Sequence, residues 1–202
     1  MVQDMSPGSR TAIQAAHHQI GNSLQSVASL LRLEARTAPP EAAGLLKEAS
    51  RRVGVVMRLH QRLQEGEGDS VHLDDLIGDV CRDVAALDAL DRPACVELQA
   101  DVCVAPSRIA SSLATITAEL VGNALEHGLQ DRAGRVEVDL TRTPSGYRLV
   151  VEDDGVGLPV GGGDGFGLSL VRMLVGQLGG RIVFDSAPGG LRVEVVIERG
   201  PT

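Results

Sequence analysis

The chain has 202 residues with a formal net charge of −8, and 43% of its residues are hydrophobic, enough to form a folded core. The acidic balance, together with one Tyr, two Phe and no Trp, argues against nucleic-acid binding, which needs cationic grooves and aromatic stacking. Three cysteines show no Cys-x-x-Cys spacing, and no apolar run reaches the roughly 18 residues of a membrane-spanning helix. We therefore expect a cytoplasmic protein with reduced thiols, no membrane span and no nucleic-acid partner.

Two long helices are predicted in the first third of the chain. A helical period runs over residues 10–36 and is broken at Pro39 and Pro40. A second helical pattern follows over residues 41–64. The short connection between them is typical of a helical hairpin.

The charged, glycine-containing stretch EGEGDS at 65–70 is typical of a linker, and we expect it to separate a first domain, 1–66, from a second, 71–202. In the second domain, helical and strand patterns alternate around the turns TPSG and APGG. Its helices are predicted over 73–90, over 107–128 and from the glycine-rich loop 155–167 to 178, and its strands over 95–104, 135–142, 147–153, 181–186 and 191–198. This order predicts an α+β fold, a helical hairpin followed by an α/β domain.

The first helix carries two adjacent histidines, His17 and His18, for which the helical register predicts opposite environments. A spacing of four, three, four, three and four residues places His17 in an apolar seam of Ile13, His17, Ile20, Leu24, Val27 and Leu31. His18 lies about 100° further round the helix and shares a polar stripe with Asn22. His18 is therefore predicted to face solvent.

The second helix repeats the seam pattern, with Ala49, Val53, Val56, His60 and Leu63. A hairpin of two helices buries little apolar surface by itself, so its seam favours pairing with a second copy. We expect a homodimer in which two hairpins form a four-helix bundle.

Three segments of the second domain predict a nucleotide site. In ELVGNALEHG (119–128), Glu119 and Asn123 lie four residues apart on one helix face, and an amide oxygen suits Mg²⁺ shared with phosphates. In EDDGVGLP (152–159), a strand ends at an acidic turn whose glycines leave the backbone open to a ligand. The glycine-rich GGGDGFGLSLV (161–171) leads into a helix whose N-terminus can bind an anion.

These segments resemble the motifs of a known family. Residues 71–199 look like the Bergerat-type ATP-binding fold shared by gyrase, Hsp90, sensor histidine kinases and MutL, an α/β sandwich with helices on one face of a mixed sheet. ELVGNALEHG matches the N box, DDGVGLP the G1 box and GDGFGLSLV the G2 box of that fold. Residues 10–66 resemble the dimerisation and phosphoacceptor hairpin of HWE-like histidine kinases, in which HQIGNSLQ aligns with the acceptor motif and the acceptor falls on His18.

The resemblance implies that ATP and Mg²⁺ bind in the second domain. It implies that Asn123 coordinates Mg²⁺, that Glu119 orients the metal's waters, and that Asp154 accepts a hydrogen bond from the adenine amino group. The backbone would approach base and phosphates at four glycines and the adjoining leucine, namely Gly155, Gly157, Gly165, Gly167 and Leu168.

The resemblance also implies a histidine kinase reaction. His18 would attack the γ-phosphorus of ATP, with Asn22 orienting the imidazole or a water. The phosphoryl group would then pass to an aspartate on the receiver domain of a response regulator. Because the residues before the first helix can hold no input domain, we expect the signal from an upstream sensor protein, or through a longer chain of which this is a part.

Four positions depart from the family pattern. Gln19, Gly21 and Glu126 stand where the HWE-like pattern has Arg, Lys and commonly Lys, and Leu191 stands where a Thr or Ser is usual. If its side chain pointed inward, Glu126 would repel the polyphosphate of ATP. If it pointed outward into solvent, it would not affect phosphate binding. The alternative function is therefore a dimeric histidine phosphotransferase of a phosphorelay with a degenerate ATP-binding domain. A third candidate function is that of an anti-sigma-type serine kinase, which shares the ATP-binding fold. The N-terminal hairpin with its histidine argues against this function.

Overall fold

The N-terminal part of the chain is a hairpin of two long helices. In the computed structural model, which describes residues 7–65, 70–88, 94–130, 132–158, 165–187 and 189–198, α1 covers Pro7–Thr37 and α2 covers Pro40–Glu65. Side chains are described from residue 21 onward, apart from residues 59, 62–65, 87 and 88. Proline is well suited to the first turn of α2, because the amide hydrogen that it lacks would have no helical partner there. Both predicted helices are confirmed.

The rest of the chain forms the predicted alternation of helices and strands. The predicted linker lies mostly outside the described residues, which resume at Ser70. The remaining elements are β1 (Ser70–His72), α3 (Leu73–Asp88), β2 (Ala94–Ala100), β3 (Val104–Pro106), α4 (Ser107–Asn123), β4 (Gly134–Thr143), β5 (Gly146–Asp153), α5 (Phe166–Gln177), β6 (Arg181–Ala187) and β7 (Gly190–Glu198). The short strand β1, which pairs antiparallel with β3, was not predicted.

A mixed five-stranded sheet forms the centre of this part, in the order β2-β4-β5-β7-β6. The pair β2–β4 is parallel and the other pairs are antiparallel. Helices α3, α4 and α5 cover one face, and their apolar side chains meet the alternate inward residues of the strands, including Val138, Leu149 and Val195. The predicted α+β fold with an α/β sandwich is confirmed.

The other face of the sheet carries charge. Arg148 pairs with Glu194 at 3.1 Å, and Arg192 pairs with Glu152 at 3.1 Å across neighbouring strands. The hydrogen bond from Arg148 lowers the pKa of Glu194. Ion pairs on a solvated sheet face add little stability, but they keep this face from pairing with apolar surfaces.

The predicted helix over 107–128 changes its winding near its end. After Asn123 the chain forms a π-helical segment, Ala124–Gly128, in which the N–H of Leu129 donates to the carbonyl of Ala124 at 2.8 Å. The wider turn sets the carbonyl of Gly128 to accept the N–H of Val156 at 3.0 Å. π-Helical turns of this kind are frequent at functional sites.

Helix α2 packs against other helices on two of its sides. One side meets α1 through Ser50, whose hydroxyl donates to the carbonyl of Ala28 at 3.3 Å. Another side meets α3 and α4, where Val55 is buried in the core of the second domain. The seam residue Val56 is 53% exposed and Val27 of α1 is 46% exposed, so neither is covered within one hairpin, and the pairing of the seam with a second copy stays a prediction. Separately, none of the helices among the described residues has the length and hydropathy that a membrane span requires.

Candidate functional site

A cavity of about 850 Å³ lies between α2 and the helical side of the second domain. Helix α2 forms one wall, and α4, the π-helical segment, the turn after β5 and the start of α5 form the others. Lining residues from the second domain include Leu120, Asn123, Glu126, His127, Gly128, Asp153, Val156, Gly157, Leu158, Gly165, Phe166, Gly167, Leu168 and Leu191. The N, G1 and G2 segments thus meet at one place.

Asp153 is the acidic side chain at the base of this cavity. It follows Tyr147, Leu149 and Val151 on the inward face of β5 and is only 6% exposed. Its carboxylate accepts the N–H of Gly155 at 2.9 Å and a backbone hydrogen bond from Leu191. Burial nevertheless raises the pKa of Asp153 above its ordinary value.

Asp154, the residue chosen from the sequence for adenine binding, points away from the cavity. Its side chain is 55% exposed and accepts the N–H of Arg135 at 2.9 Å, with the Arg132 guanidinium 4.0 Å away. The sequence-based choice of Asp154 is therefore wrong, and Asp153 takes its place. The sequence contains the information for choosing Asp153, because side chains alternate along a strand and Asp153 shares the face of Val151.

Glycines allow the turn after β5 to adopt its conformation and to pack closely. Gly157 has a φ of +73°, a left-handed conformation that favours glycine. A Cβ on Gly128 would lie 2.9 Å from a carboxylate oxygen of Asp153, and a Cβ on Gly155 would lie 2.3 Å from the carbonyl of Gly128. Gly155 therefore lets the turn pack closely under Asp153, and Gly157 lines the cavity itself.

Asn123 and Glu119, four residues apart on α4, occupy different environments. Asn123 lines the cavity. Glu119 is fully buried behind it, where its Oε1 accepts a hydrogen bond from Arg52 Nε at 3.0 Å. Burial raises the pKa of Glu119, and Arg52 acts in the opposite direction. A Cβ on Gly167 would lie 2.8 Å from Glu119 Oε2, so a glycine is needed where α5 passes this carboxylate.

Helix α5 points its N-terminus at the cavity. Gly165 precedes its first residue, Phe166, and no side chain in the described part of the chain caps the helix. Gly165, Phe166, Gly167 and Leu168 all line the cavity, so the free N–H groups of the first turn lie at its edge. This arrangement favours binding of an anion. The preceding loop, 159–164, lies outside the described residues.

Two consecutive arginines of α2 reach the second domain, and sequence reasoning missed both. Arg51 Nη1 donates to Glu126 Oε1 at 2.8 Å, and Arg52 binds Glu119 and also Glu48. The Arg52 guanidinium lies 4.7 Å from the centre of the Phe166 ring. Glu126, left open between an inward and an outward position, lines the cavity in an ion pair. No local sequence pattern could have indicated these pairs, because the partners are 75 and 67 residues apart.

The predicted acceptor region is only partly described. His18 lies within α1, but its side chain and that of His17 fall outside the described residues, so their predicted exposure stays a prediction. Asn22 is exposed, its carbonyl accepts the hydroxyl of Ser26 at 2.9 Å, and it is not among the residues that line the cavity.

The donor set fits ATP with Mg²⁺. The cavity combines a buried carboxylate, an amide side chain and the N-terminus of a helix, which suit an adenine amino group, a metal and phosphates in turn. Within the described ranges, no group of three or more His, Cys, Asp or Glu residues could hold a metal ion.

Comparison with known proteins gives a consistent result over most of the chain. A family model of histidine kinase-, DNA gyrase B- and HSP90-like ATPases matches residues 109–201. A histidine kinase family model matches residues 16–87.

Similar proteins and a similar solved structure are also named as histidine kinases. The sensor histidine kinase PdtaS of Mycobacterium tuberculosis is 36% identical over 170 residues, covering 81% of this chain and 34% of the relative. Blue-light-activated histidine kinase 2 of Erythrobacter litoralis is 27% identical over 98% of this chain and 61% of the relative. The histidine kinase domain of a blue-light activated histidine kinase from E. litoralis has the same fold, with a TM-score of 0.71 at 23% identity over 89% of this chain and 95% of that one. The chain thus spans about a third to three fifths of the length of these two relatives.

The two family models cover successive parts of the chain, the hairpin with α3 and the ATPase fold. On this basis the chain belongs to the histidine kinases, with the ATPase fold that they share with DNA gyrase B and HSP90.

Proposed function

We propose that the chain is an ATP-dependent protein-histidine kinase of a two-component system that phosphorylates itself on His18. The observation that carries the proposal is the single cavity in which Asp153, Asn123 and the N-terminus of α5 meet. These groups match the three parts of a metal-bound nucleotide. The intact cavity also favours the kinase over a phosphorelay protein with a degenerate ATP site.

Adenine recognition is assigned to Asp153. Its carboxylate is buried, is held by the N–H of Gly155 at 2.9 Å, and lines the cavity, so it can accept a hydrogen bond from an exocyclic amino group. Leu191 and Val156 line the same region and supply apolar contacts to a purine ring. Leu191 offers no hydroxyl, so the carboxylate carries the polar recognition of the base.

Phosphate binding is assigned to Asn123 and the first turn of α5. The Asn123 amide oxygen would coordinate Mg²⁺, and the N–H groups near Gly165 and Gly167 would bind phosphate oxygens. Glu119 is proposed to orient water on the metal. Arg52, 3.0 Å from Glu119 Oε1, competes with that role, so withdrawal of Arg52 would free the carboxylate.

ATP, when bound with Mg²⁺, supplies a γ-phosphoryl group whose transfer requires positioning and charge neutralisation more than covalent assistance. A nitrogen of the neutral His18 imidazole would attack the phosphorus, forming a P–N bond as the P–O bond to ADP breaks. Asn22, one turn further along α1, would orient the ring. The phosphoryl group would then pass to a receiver-domain aspartate of a response regulator.

A homodimer is proposed for the hairpin. Val27, Leu30 and Leu33 of α1 and Val56 of α2 are exposed apolar residues of the hairpin. A second copy that covers them would complete the four-helix bundle. We place this dimer in the cytoplasm, where ATP is available and where free thiols such as those of Cys81, Cys95 and Cys103 persist. An upstream sensor would provide its input.

Labelling with γ-³²P ATP and Mg²⁺ tests the kinase. We expect acid-labile, base-stable label on the wild type, no label on His18→Gln or Asn123→Ala, and retained label on His17→Gln. His17→Gln is the matched control, because it changes the adjacent imidazole. Loss of label only in His17→Gln would overturn the acceptor assignment. Absence of label and of nucleotide binding in the wild type would support the phosphorelay function instead.

A further inference from the structure

The cavity receives its positive charge from the hairpin. Among the described residues that line it, Arg51 of α2 is the one Lys or Arg, and it is only 7% exposed. The cavity wall also contains Glu126, whose negative charge would oppose a polyphosphate. Arg51 neutralises this carboxylate at 2.8 Å, whereas Glu41, Glu48 and Asp153 also line the cavity, so Arg51 is the cation of the wall that can attract an anion.

The guanidinium of Arg51 has hydrogen-bonding capacity left over. One nitrogen, Nη1, is bonded to Glu126, whereas Nε is buried and has no hydrogen-bond partner in the described part of the chain. A guanidinium carries five N–H donors in a planar fork that matches phosphate oxygens. Nε lies against α4 at Gly122, so the donors that a ligand in the cavity can reach are those of the two Nη groups.

Helix α4 is shaped to hold this side chain. A Cβ on Gly122 would lie 2.6 Å from both Cζ and Nε of Arg51, so only glycine leaves room for the guanidinium. Gly122 has an ordinary helical neighbourhood in which alanine would otherwise be the better helix former. The lack of a side chain at Gly122 therefore makes room for Arg51 and does not stabilise the helix.

We propose that Arg51 is a phosphate-binding residue of the nucleotide site, oriented by Glu126 and held against Gly122. This inference rests on the proposed function, because it names the group that would bind the polyphosphate of ATP. Glu126 keeps one N–H of Nη1 while the other Nη donors bind phosphate oxygens. Since Arg51 belongs to α2 and the other nucleotide contacts belong to the second domain, nucleotide affinity depends on the docking of the hairpin.

Calorimetric titration of the full chain with Mg-ATP and, separately, with adenosine tests the assignment. We expect Arg51→Gln to weaken ATP binding about 10- to 100-fold, the range for a charged hydrogen bond, while adenosine affinity stays within about twofold. Arg58→Gln is the matched control: Arg58 lies two turns along α2, pairs with Asp83 at 2.7 Å and is outside the cavity. It should leave both affinities unchanged.

Two further variants separate a binding role from a structural one. Glu126→Gln should tighten ATP binding about threefold or more, because it removes the opposing charge while its amide oxygen still accepts from Nη1 and orients Arg51. If the Arg51–Glu126 pair only braced the fold, Glu126→Gln would weaken binding as Arg51→Gln does. Gly122→Ala should displace the guanidinium and weaken ATP binding about tenfold without loss of helical content.

The outcomes distinguish this inference from the proposed function. If the wild type binds neither ATP nor adenosine, the nucleotide site itself is wrong. If the wild type binds both and Arg51→Gln binds ATP with unchanged affinity, the assignment of Arg51 is overturned while the proposed kinase stands.

Discussion

At the level of single residues, neighbouring carboxylates at the site differ because their surroundings differ. Asp153 is inside the sandwich with two backbone donors, and Asp154 is outside with arginine and backbone contacts on the surface. Glu119 is buried against Arg52, and Glu126 is bound to Arg51 at the cavity wall. The tertiary partner of each carboxylate, and not its place in a motif, decides whether it can meet a ligand.

The two aspartates give the first prediction. Asp153→Asn removes the charge and replaces one acceptor oxygen with an NH2 donor, so it should weaken adenosine binding about 10- to 100-fold, whereas Asp154→Asn should change it less than twofold. Titration calorimetry with adenosine measures both, and because adenosine has no phosphates the result is independent of Arg51. A larger loss in Asp154→Asn than in Asp153→Asn would restore the original choice of residue.

The raised pKa of Asp153 predicts a pH dependence. In the free protein, the protonated form contributes stability that is complete below the ordinary pKa of 3.8 and is lost as pH rises through the raised value. Ligand binding has the opposite sign, because the ionised carboxylate is the stronger acceptor of a hydrogen bond from an amino group. Adenosine affinity should therefore rise with pH through the raised pKa, and this slope should disappear in Asp153→Asn. A wild-type affinity independent of pH in the mildly acidic range would contradict the assignment.

At the level of secondary-structure elements, helix α2 links the two parts of the chain. Ser50 faces α1, and Arg51, Arg52 and Val55 face the second domain. The predicted seam residue Val56 is 53% exposed and is covered by neither contact. The same double packing brings Arg51 to the cavity.

Strand β5 is connected to β3 through one buried side chain. The hydroxyl of Tyr147, which is fully buried, donates to the carbonyl of Val104 at 2.8 Å. Tyr147→Phe keeps the ring but leaves that carbonyl without its donor, so the free energy of unfolding should fall by about 0.5–1.5 kcal/mol. Urea unfolding measures the change, which should appear as a lower midpoint with an unchanged slope. An unchanged midpoint would mean that water replaces the hydroxyl at no cost.

The cysteines of α3 and β2 should differ in reactivity. Burial raises the pKa of Cys81 on α3 to about 12, and Cys103 is also buried with a raised pKa. Cys95 on β2 is exposed. Because the thiolate is the reactive form, iodoacetamide at neutral pH should modify Cys95 alone in the folded protein and all three thiols in denaturant. Mass spectrometry of the labelled peptides gives the answer, and fast labelling of Cys81 would contradict its position in the core.

For the whole molecule, the proposed dimer gives the final prediction. Leu30→Glu introduces a charge on the exposed apolar side of α1 and should reduce the mass in light scattering from that of a dimer to that of a monomer. Val102→Glu is the matched control, because Val102 is 83% exposed and lies in the second domain, away from the hairpin. A wild-type monomer at micromolar concentration would exclude the four-helix bundle.

Much of the architecture was predictable because it depends on local pattern. Helical periods, the Pro39–Pro40 break and the glycine-rich turns set the order and bounds of nearly every element. The π-helical end of α4 was not predictable, because its winding depends on the contact of Gly128 with the turn after β5. The short strand β1 likewise depends on its pairing with β3.

The sequence by itself determined which chemical groups are present: an amide on α4, acidic residues after β5, and glycines before α5. Only the tertiary structure decided which of them face the same cavity, because facing depends on strand register and on contacts between residues far apart in the chain. Asp153 rather than Asp154 lies inside because β5 alternates its side chains between a core and a solvent face. Arg51 meets Glu126 because α2 packs on α4, and no spacing along the chain encodes that contact.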